Sequence, residues 1–172
     1  VLGRVKSLLI SANGEKYSPE GIEESLINNS TIIEQVLLDN DHMPYTVALI
    51  YPNMDGLIEA INEKGLPLES PETYKFVIQL FQNEIDKYKT GGEYDEHYPE
   101  LWLPSTFAFL GEGFTEQNGF LNSTMKVIRG KVVEYYKDRI DYLYQPEGKD
   151  IFNHRNENII KKMMHHHHNG GN

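Results

Sequence analysis

The stretch IIEQVLLDNDHMPYTVALIY, residues 32–51, decides the class of fold. Two runs rich in β-branched and other apolar residues, 32–38 and 46–51, flank the polar segment 39–44. Such runs, bounded by turn-forming residues, predict two neighbouring strands of one sheet. The polar segment between them is predicted to be a loop.

Helical and extended patterns alternate along the rest of the chain. Apolar residues recur at helical spacing in four segments, which predicts helices over residues 19–28, 54–64, 71–89 and 125–144. A third strand is predicted over residues 102–110. Pro104 confines it to a sheet edge or to its own beginning, because proline cannot donate to a strand ladder.

The N-terminal part of the chain is predicted to form a β-ribbon over residues 4–17. Its turn is Asn13-Gly14, because this pair accepts positive φ at low cost. The predicted fold is therefore α+β, with this small ribbon and a sheet of about three strands flanked by helices.

The composition excludes several classes of function. The 172 residues, 39% of them hydrophobic, suffice for one modest core. Twenty-six acidic against sixteen basic residues give a net charge of −10, whereas a large nucleic-acid footprint needs a basic face. The chain has no cysteine, so it has no disulfide framework, thiolate nucleophile or cysteine zinc site. No run of about 18 apolar residues predicts a transmembrane helix.

The two ends of the chain differ from the middle. The chain begins at Val1 without a methionine, which predicts a processed chain or a piece of a longer one. Residues 1–144 are predicted to be one domain, with a hinge and the ribbon in 1–18. Residues 145–172 are predicted to be a polar tail with a short helix over 147–162. The histidine run 165–168 could bind a metal, but a disordered tail or a tag is favoured and no metal site is predicted.

The usual catalytic motifs are missing. The sequence has no glycine-rich phosphate loop and no Gly-x-Ser-x-Gly elbow. His42, His97 and His154 are far apart and are predicted to be loop or surface residues. Two segments are more informative: GRVKSLLISANGEKYSPEGIEESL, residues 3–26, and NGFLNSTMKVIRGKV, residues 118–132.

In the second segment a turn precedes a predicted helix, and Lys126 lies at the start of that helix. A lysine beside the backbone donors of a helix N-terminus suits an anionic oxygen of a phosphate or carboxylate. Arg129, three residues later, would share its helical face. The spacing alone favours the alternative that both are ordinary solvated helix charges.

Both segments resemble parts of the AMP-forming acyl-CoA synthetases, in the adenylate-forming superfamily that also includes firefly luciferase and peptide-synthetase adenylation domains. Residues 3–26 resemble the hinge segment, in which Gly-Arg-x-Asp/Lys leads into a β-ribbon, a glycine turn and a P-x-x-I-E helix. Residues 118–132 resemble the lysine motif NGxLTPTxKxxR of the long-chain fatty-acid branch, with Asn122-Ser123 where Thr-Pro is usual. The resemblance covers residues 1–144. It implies the mobile C-terminal domain of a long-chain fatty-acid–CoA ligase.

The resemblance also implies two half-reactions in the intact enzyme, which uses ATP, Mg²⁺ and CoA. Lys126 matches the catalytic lysine that acts when a fatty-acid carboxylate attacks the α-phosphate of ATP. Lys6 matches the hinge residue, and Arg4 matches an arginine near the nucleotide. After rotation of the domain, the turn of the ribbon would line the CoA tunnel, through Ser11, Ala12, Asn13 and Gly14.

The implied partners are the missing N-terminal domain of the same chain, fatty acid, ATP and CoA, with no nucleic acid and no transmembrane segment. The isolated chain is expected to be inactive and to bind none of the small molecules tightly. A cytoplasmic or membrane-peripheral location is expected. The alternative is a free-standing, non-catalytic binding or regulatory module of the same fold, whose acidic loop 93–100 would bind a basic partner.

Overall fold

Two three-stranded sheets form the frame of residues 7–170, the part of the chain that the computed structural model describes. The strands are β1 (Leu9–Ser11), β2 (Lys16–Tyr17), β3 (Ile33–Asp39), β4 (Asp41–Met43), β5 (Thr46–Pro52) and β6 (Pro104–Phe109). The helices are α1 (Glu20–Asn28), α2 (Met54–Lys64), α3 (Pro71–Asp86), α4 (Arg129–Tyr135), α5 (Lys137–Tyr142), α6 (Pro146–Lys149) and α7 (His154–His168). The predicted α+β class is confirmed. Arg4 and Lys6 lie outside the described residues.

The central sheet has the strand order β3-β5-β6. β3 and β5 are antiparallel neighbours, as predicted, and β6 runs parallel to β5. A parallel neighbour needs a long crossover, and α2 and α3 provide it. Pro104 is the first residue of β6, which lies at the edge of the sheet. This position agrees with the restriction that proline imposes.

Both faces of the central sheet are buried. Successive side chains of a strand point to opposite faces, and β5 shows the consequence. Ala48 and Ile50 belong to one apolar cluster, which α1, α2, α3 and α7 cover. Val47 and Leu49 belong to a second cluster, which α4 and α5 cover. The continuous apolar runs of the sequence therefore reflect a strand buried on two sides rather than on one.

The small sheet has the order β2-β1-β4 and contains the predicted ribbon as an antiparallel hairpin. The prediction of a loop over residues 39–44 is wrong, because β4 lies there and runs parallel to β1. Asn40 organises the junction. Its backbone oxygen accepts from the Ile10 N–H at 3.1 Å, and its side-chain oxygen accepts from the Met43 N–H at 2.8 Å. Polar residues pair here through the backbone, so hydropathy gives no signal for this strand.

The predicted single helix over residues 125–144 is also wrong. A tight turn closed by a β-bridge between Leu121 and Val127 comes first, and α4 begins only at Arg129. The helical run then breaks at Tyr136, before α5. The backbone of Met125 explains the late start, because its φ of 64° lies outside the helical region and turns the chain back toward Leu121.

The C-terminal segment packs against the core. α7 runs through the histidine tract, and its Ile160 and Met164 side chains are fully buried in the cluster with α3. The sequence predicted a polar tail with a short helix over 147–162, whereas the structure has α7 at His154–His168, packed against the core. Within residues 7–170, no helix has both the length and the apolar character needed to cross a bilayer.

Candidate functional site

The four residues predicted to line a CoA tunnel form one tight turn between β1 and β2. The Gly14 N–H donates to the Ser11 carbonyl at 2.9 Å, and Gly14 has a φ of 89°. The Glu15 N–H donates to the Ser11 hydroxyl and to the Asn13 side-chain oxygen, each at 3.2 Å. Ser11 is buried, whereas Ala12, Asn13 and Gly14 are exposed. No heavy atom lies within 4 Å of the place where a Gly14 Cβ would stand. The surface over Gly14 is therefore open.

The segment between α3 and β6 supports this hairpin. The Trp102 indole N–H donates to the Glu15 carboxylate at 2.9 Å. The indole ring stacks on Tyr17 with 5.3 Å between centroids and 9° between planes. Earlier in the same segment, the Tyr98 hydroxyl donates to the Gly21 carbonyl of α1 at 3.0 Å. The acidic loop 93–100, for which the sequence suggested a basic partner, thus contacts this chain's own helix.

Lys126 lies in a second tight turn. The Asn122 side-chain oxygen accepts from the Lys126 N–H at 3.0 Å and from the Thr124 N–H at 2.9 Å. The Asn122 N–H donates to the Lys126 carbonyl at 2.9 Å. Met125, between them, has a φ of 64°. Lys126 is therefore not at a helix N-terminus, and the argument from helix backbone donors does not apply to it.

The turn is exposed from Asn122 to Val127, and Lys126 lies between two apolar residues. Met125 is 62% exposed and Val127 is 38% exposed. No carboxylate within residues 7–170 forms an ion pair with Lys126. An ammonium group exposed on such a turn can bind an anionic oxygen of a ligand or of another domain.

Arg129 does not share a face with Lys126, contrary to the prediction. Its guanidinium forms a two-pronged ion pair with Glu23 of α1, with Nη2–Oε1 at 2.7 Å and Nη1–Oε2 at 3.0 Å. Nη1 also donates to the Leu38 carbonyl at 3.1 Å, and the Leu38 N–H donates to Glu23 Oε2 at 2.6 Å. The exposed fractions of the two side chains are 17% and 11%. Burial raises the pKa of the Glu23 carboxyl, and Arg129 opposes that rise.

We call this set of Glu23, Leu38 and Arg129 the buried fork. The sequence did contain a signal for it. Each of the two informative segments holds one of the charged members, and the charges have opposite signs. Their separation of 106 residues gave no reason to pair them.

A groove of about 750 Å³ lies between the small sheet and the helices α4 and α5. Asp39 lines it, and burial raises the pKa of this carboxyl to about 6, with Asp41 adding to the rise. The Tyr144 hydroxyl, in the same wall, is buried and has no hydrogen-bond partner among the described residues. Arg129 lines this groove, whereas Lys126 and the turn from Ser11 to Gly14 do not.

Metal ligands do not gather in the described part of the chain, where no group of three or more suitable side chains could hold a metal ion. His165 and His168 of the histidine run both contact the Glu69 carboxylate, His165 at 3.0 Å.

The fold built around these two turns is that of the C-terminal domain of adenylate-forming enzymes. The adenylation domain of a carboxylate reductase from Mycobacterium chelonae is 25% identical, with a TM-score of 0.62 over 82% of this chain and 20% of that one. The adenylation domain of the Segniliparus rugosus carboxylic acid reductase, solved with AMP and a co-purified carboxylic acid, is 21% identical. Its TM-score is 0.57 over 81% of this chain and 20% of that one.

Relatives by sequence are fatty-acid ligases. A long-chain-fatty-acid–[acyl-carrier-protein] ligase of Arabidopsis thaliana is 32% identical over 142 residues, which are 83% of this chain and 17% of that protein. A long-chain-fatty-acid–CoA ligase of Bos taurus is 27% identical over 166 residues, which are 86% of this chain and 22% of that protein. No protein-family model matches the sequence.

The chain spans about a fifth of the length of these relatives. Its similarity to these proteins agrees with the resemblance of residues 1–144 to AMP-forming acyl-CoA synthetases. The roles of Lys126, of Lys6 and Arg4, and of the turn from Ser11 to Gly14 remain predictions.

Proposed function

We propose that this chain is the rotating C-terminal domain of an ATP-dependent, AMP-forming ligase that joins a long-chain fatty acid to the thiol of CoA. The observation that carries the proposal is the exposed Lys126 at the tip of a tight turn, in a chain whose relatives are fatty-acid ligases. A second candidate acceptor is the thiol of an acyl-carrier protein, because the relative that is 32% identical is a fatty-acid–[acyl-carrier-protein] ligase.

In the first half-reaction Lys126 acts by charge and position. A carboxylate oxygen of the fatty acid attacks the α-phosphorus of ATP, and the bond from that phosphorus to the pyrophosphate oxygen breaks. Lys126 binds the carboxylate and α-phosphate oxygens and stabilises the negative charge that develops between them. No proton moves in this step. Mg²⁺ would accompany ATP as a counter-charge to its phosphates.

In the second half-reaction the domain presents its hairpin. Rotation about the hinge at Lys6, which lies outside the described residues, withdraws Lys126 and brings the turn from Ser11 to Gly14 to the active site. The thiol sulfur attacks the acyl carbonyl carbon, the thiol proton is lost, and AMP leaves with the bonding electrons. The open space over Gly14 would let the thiol arm pass close to the backbone.

The isolated chain is proposed to be inactive, because its sequence has no phosphate loop and the acyl pocket would lie in a separate N-terminal domain. The mass of the native polypeptide in its source cells, detected with an antibody to this chain, tests this point. A band several times heavier than 19.9 kDa supports the ligase. A band near 19.9 kDa supports the free-standing module instead.

Lys126→Ala tests the catalytic assignment in the full-length ligase. We expect fatty-acid-dependent pyrophosphate release to fall by about 100-fold or more. Thioester formation from supplied acyl-AMP should stay within about twofold, because Lys126 is withdrawn in that step. Lys161→Ala, an exposed lysine of α7, is the control and should change neither rate. An equal loss of both half-reactions would contradict the role of Lys126.

A further inference from the structure

We infer that Glu23 and Arg129 are positioning residues, which hold the Lys126 turn and the Gly14 hairpin in one rigid body so that rotation exchanges the two without distorting either. The inference rests on the proposed function of Lys126. It adds a physical device that connects the two turns, which belong to different elements far apart in the chain.

On the Lys126 side, Arg129 fixes the arm that leaves the turn. It is the third residue after Lys126 and the second after Val127, which forms the bridge with Leu121. The Ile128 N–H donates to the Phe120 carbonyl at 2.8 Å, so the arm is hydrogen-bonded up to Arg129 itself. α4 has only seven residues and no side-chain N-cap. Phe120, Leu121 and Val132 anchor the two ends of this arm in the second apolar cluster, and the guanidinium of Arg129 adds a directional polar attachment to α1 and β3.

On the hairpin side, Glu23 fixes the helix that follows β2. α1 begins three residues after Tyr17, the last residue of β2, and Pro19 in that short connection is buried. A shift of α1 would therefore move the hairpin with it. Because Glu23 bonds both Arg129 and the Leu38 N–H, it fixes α1 against the end of β3 as well as against α4.

The chemistry of the buried fork suits it to fix the orientation of the segments that it joins rather than to stabilise the fold. Removing two charges from water costs free energy that their attraction regains only partly, so buried ion pairs are poor stabilisers. A guanidinium and a carboxylate that meet in two parallel hydrogen bonds, however, define one plane and one register. The fork also uses both backbone groups of Leu38, so no buried polar group of that residue is left without a partner.

Arg129→Lys in the full-length ligase tests the inference, because lysine keeps the charge and loses the two-pronged geometry. We expect pyrophosphate release to fall by about 10- to 100-fold, as for a misplaced catalytic group. Combined with Lys126→Ala, the same change should cause no further loss, because a positioning residue acts only through the group that it positions. A general structural defect would instead multiply the two losses, and that result would overturn the inference.

A second variant distinguishes a positioning effect from a folding defect. Glu23→Gln combined with Arg129→Met removes both charges and leaves an amide oxygen for the Leu38 N–H. We expect a melting temperature within a few degrees of the wild type and the same loss of about 10- to 100-fold in pyrophosphate release. Lys137→Met is the control, since it breaks the exposed Lys137–Asp141 pair of 2.8 Å on α5 and should change nothing. Full pyrophosphate release in both fork variants would overturn the inference.

Hydrogen exchange separates this inference from the proposed function. In Arg129→Lys, amides of residues 121–127 and of the hairpin should exchange about tenfold faster, and those of α7 should not. If Lys126→Ala keeps full activity while this exchange pattern appears, the fork positions the turn and the catalytic role of Lys126 is wrong. If exchange is unchanged, the positioning role itself is wrong.

Discussion

Asn122 shows how one side chain sets the conformation around a candidate catalytic residue. Its oxygen accepts from the backbone of both Thr124 and Lys126, and Met125 adopts a positive φ as the chain turns. The resembled motif usually has Thr-Pro at positions 122–123, and proline restricts a turn by fixing φ. Here an amide oxygen performs that task by hydrogen bonding. Lys126 was therefore found from the motif, although its predicted helical setting was wrong.

Gly14→Leu should impair the CoA-dependent half-reaction. A leucine at a φ of 89° costs about 1–2 kcal/mol of backbone strain, and its side chain would fill the open space over the turn. Thioester formation should fall by about tenfold or more, while pyrophosphate release stays close to wild type. Both rates are measured in the full-length ligase.

Two matched controls separate bulk from strain. Gly14→Ala has the same backbone strain with little bulk, and Gly65→Leu has a leucine at a similar φ of 79° at the end of α2. Neither should reproduce the selective loss. Unchanged thioester formation in Gly14→Leu would remove Gly14 from the path of the thiol.

At the scale of the elements, the hairpin is supported by a segment that no local pattern predicted beside it. The predicted ribbon is confirmed as β1 and β2, and β4 supports it on the β1 side. Trp102 supports β2 and the turn through its stack on Tyr17 and its hydrogen bond to Glu15. A residue 87 positions away thus completes a local motif.

Trp102→Ala should destabilise the chain by about 2 kcal/mol, since it removes a half-buried aromatic ring together with its stack. Trp102→Phe should cost less than about 1 kcal/mol, because the stack remains and one exposed hydrogen bond is lost. Urea unfolding of the 172-residue chain, followed by far-ultraviolet circular dichroism, measures both. Phe152→Ala, at a partly exposed aromatic residue between α6 and α7, is the control and should have little effect. Equal effects of the Ala and Phe variants would contradict the stacking argument.

How well an element could be predicted depended on where its determinants lie. The strands β3, β5 and β6 and the helix α2 follow from local apolar patterns, and they were predicted within a few residues. β4 and the turn before α4 are polar segments held by backbone pairing and by asparagine side chains, Asn40 and Asn122, for which hydropathy gives no signal. The fork needed residues 106 positions apart. Motif resemblance therefore found the two turns, and the contacts that hold them required the structure.

For the whole molecule, α7 completes the central sheet instead of leaving the core as a tail. β6 is an edge strand, and edge strands have unpaired backbone groups on one side. The Asn156 side chain accepts from the Phe109 N–H at 3.0 Å and donates to the Phe107 carbonyl at 2.9 Å. A side-chain amide thus replaces a neighbouring strand at two positions, and the domain extends through α7.

Asn156→Ala should lower the free energy of unfolding by about 2–4 kcal/mol, because it leaves two buried backbone groups of β6 without partners. Urea unfolding of the 172-residue chain measures the change. Asn158→Ala on the same helix, where Asn158 is exposed, should shift stability by less than about 0.5 kcal/mol. A loss below 1 kcal/mol in Asn156→Ala would show that water satisfies the edge of β6 equally well.

The stack of Trp102 on Tyr17 also gives the chain an optical property. Trp102 is its only tryptophan, so in the 172-residue chain all indole emission arises at the base of one hairpin. The wavelength and lifetime of that emission therefore report the hydration of a single place. A ligand or partner domain that settles over the Gly14 turn would be visible without any added dye.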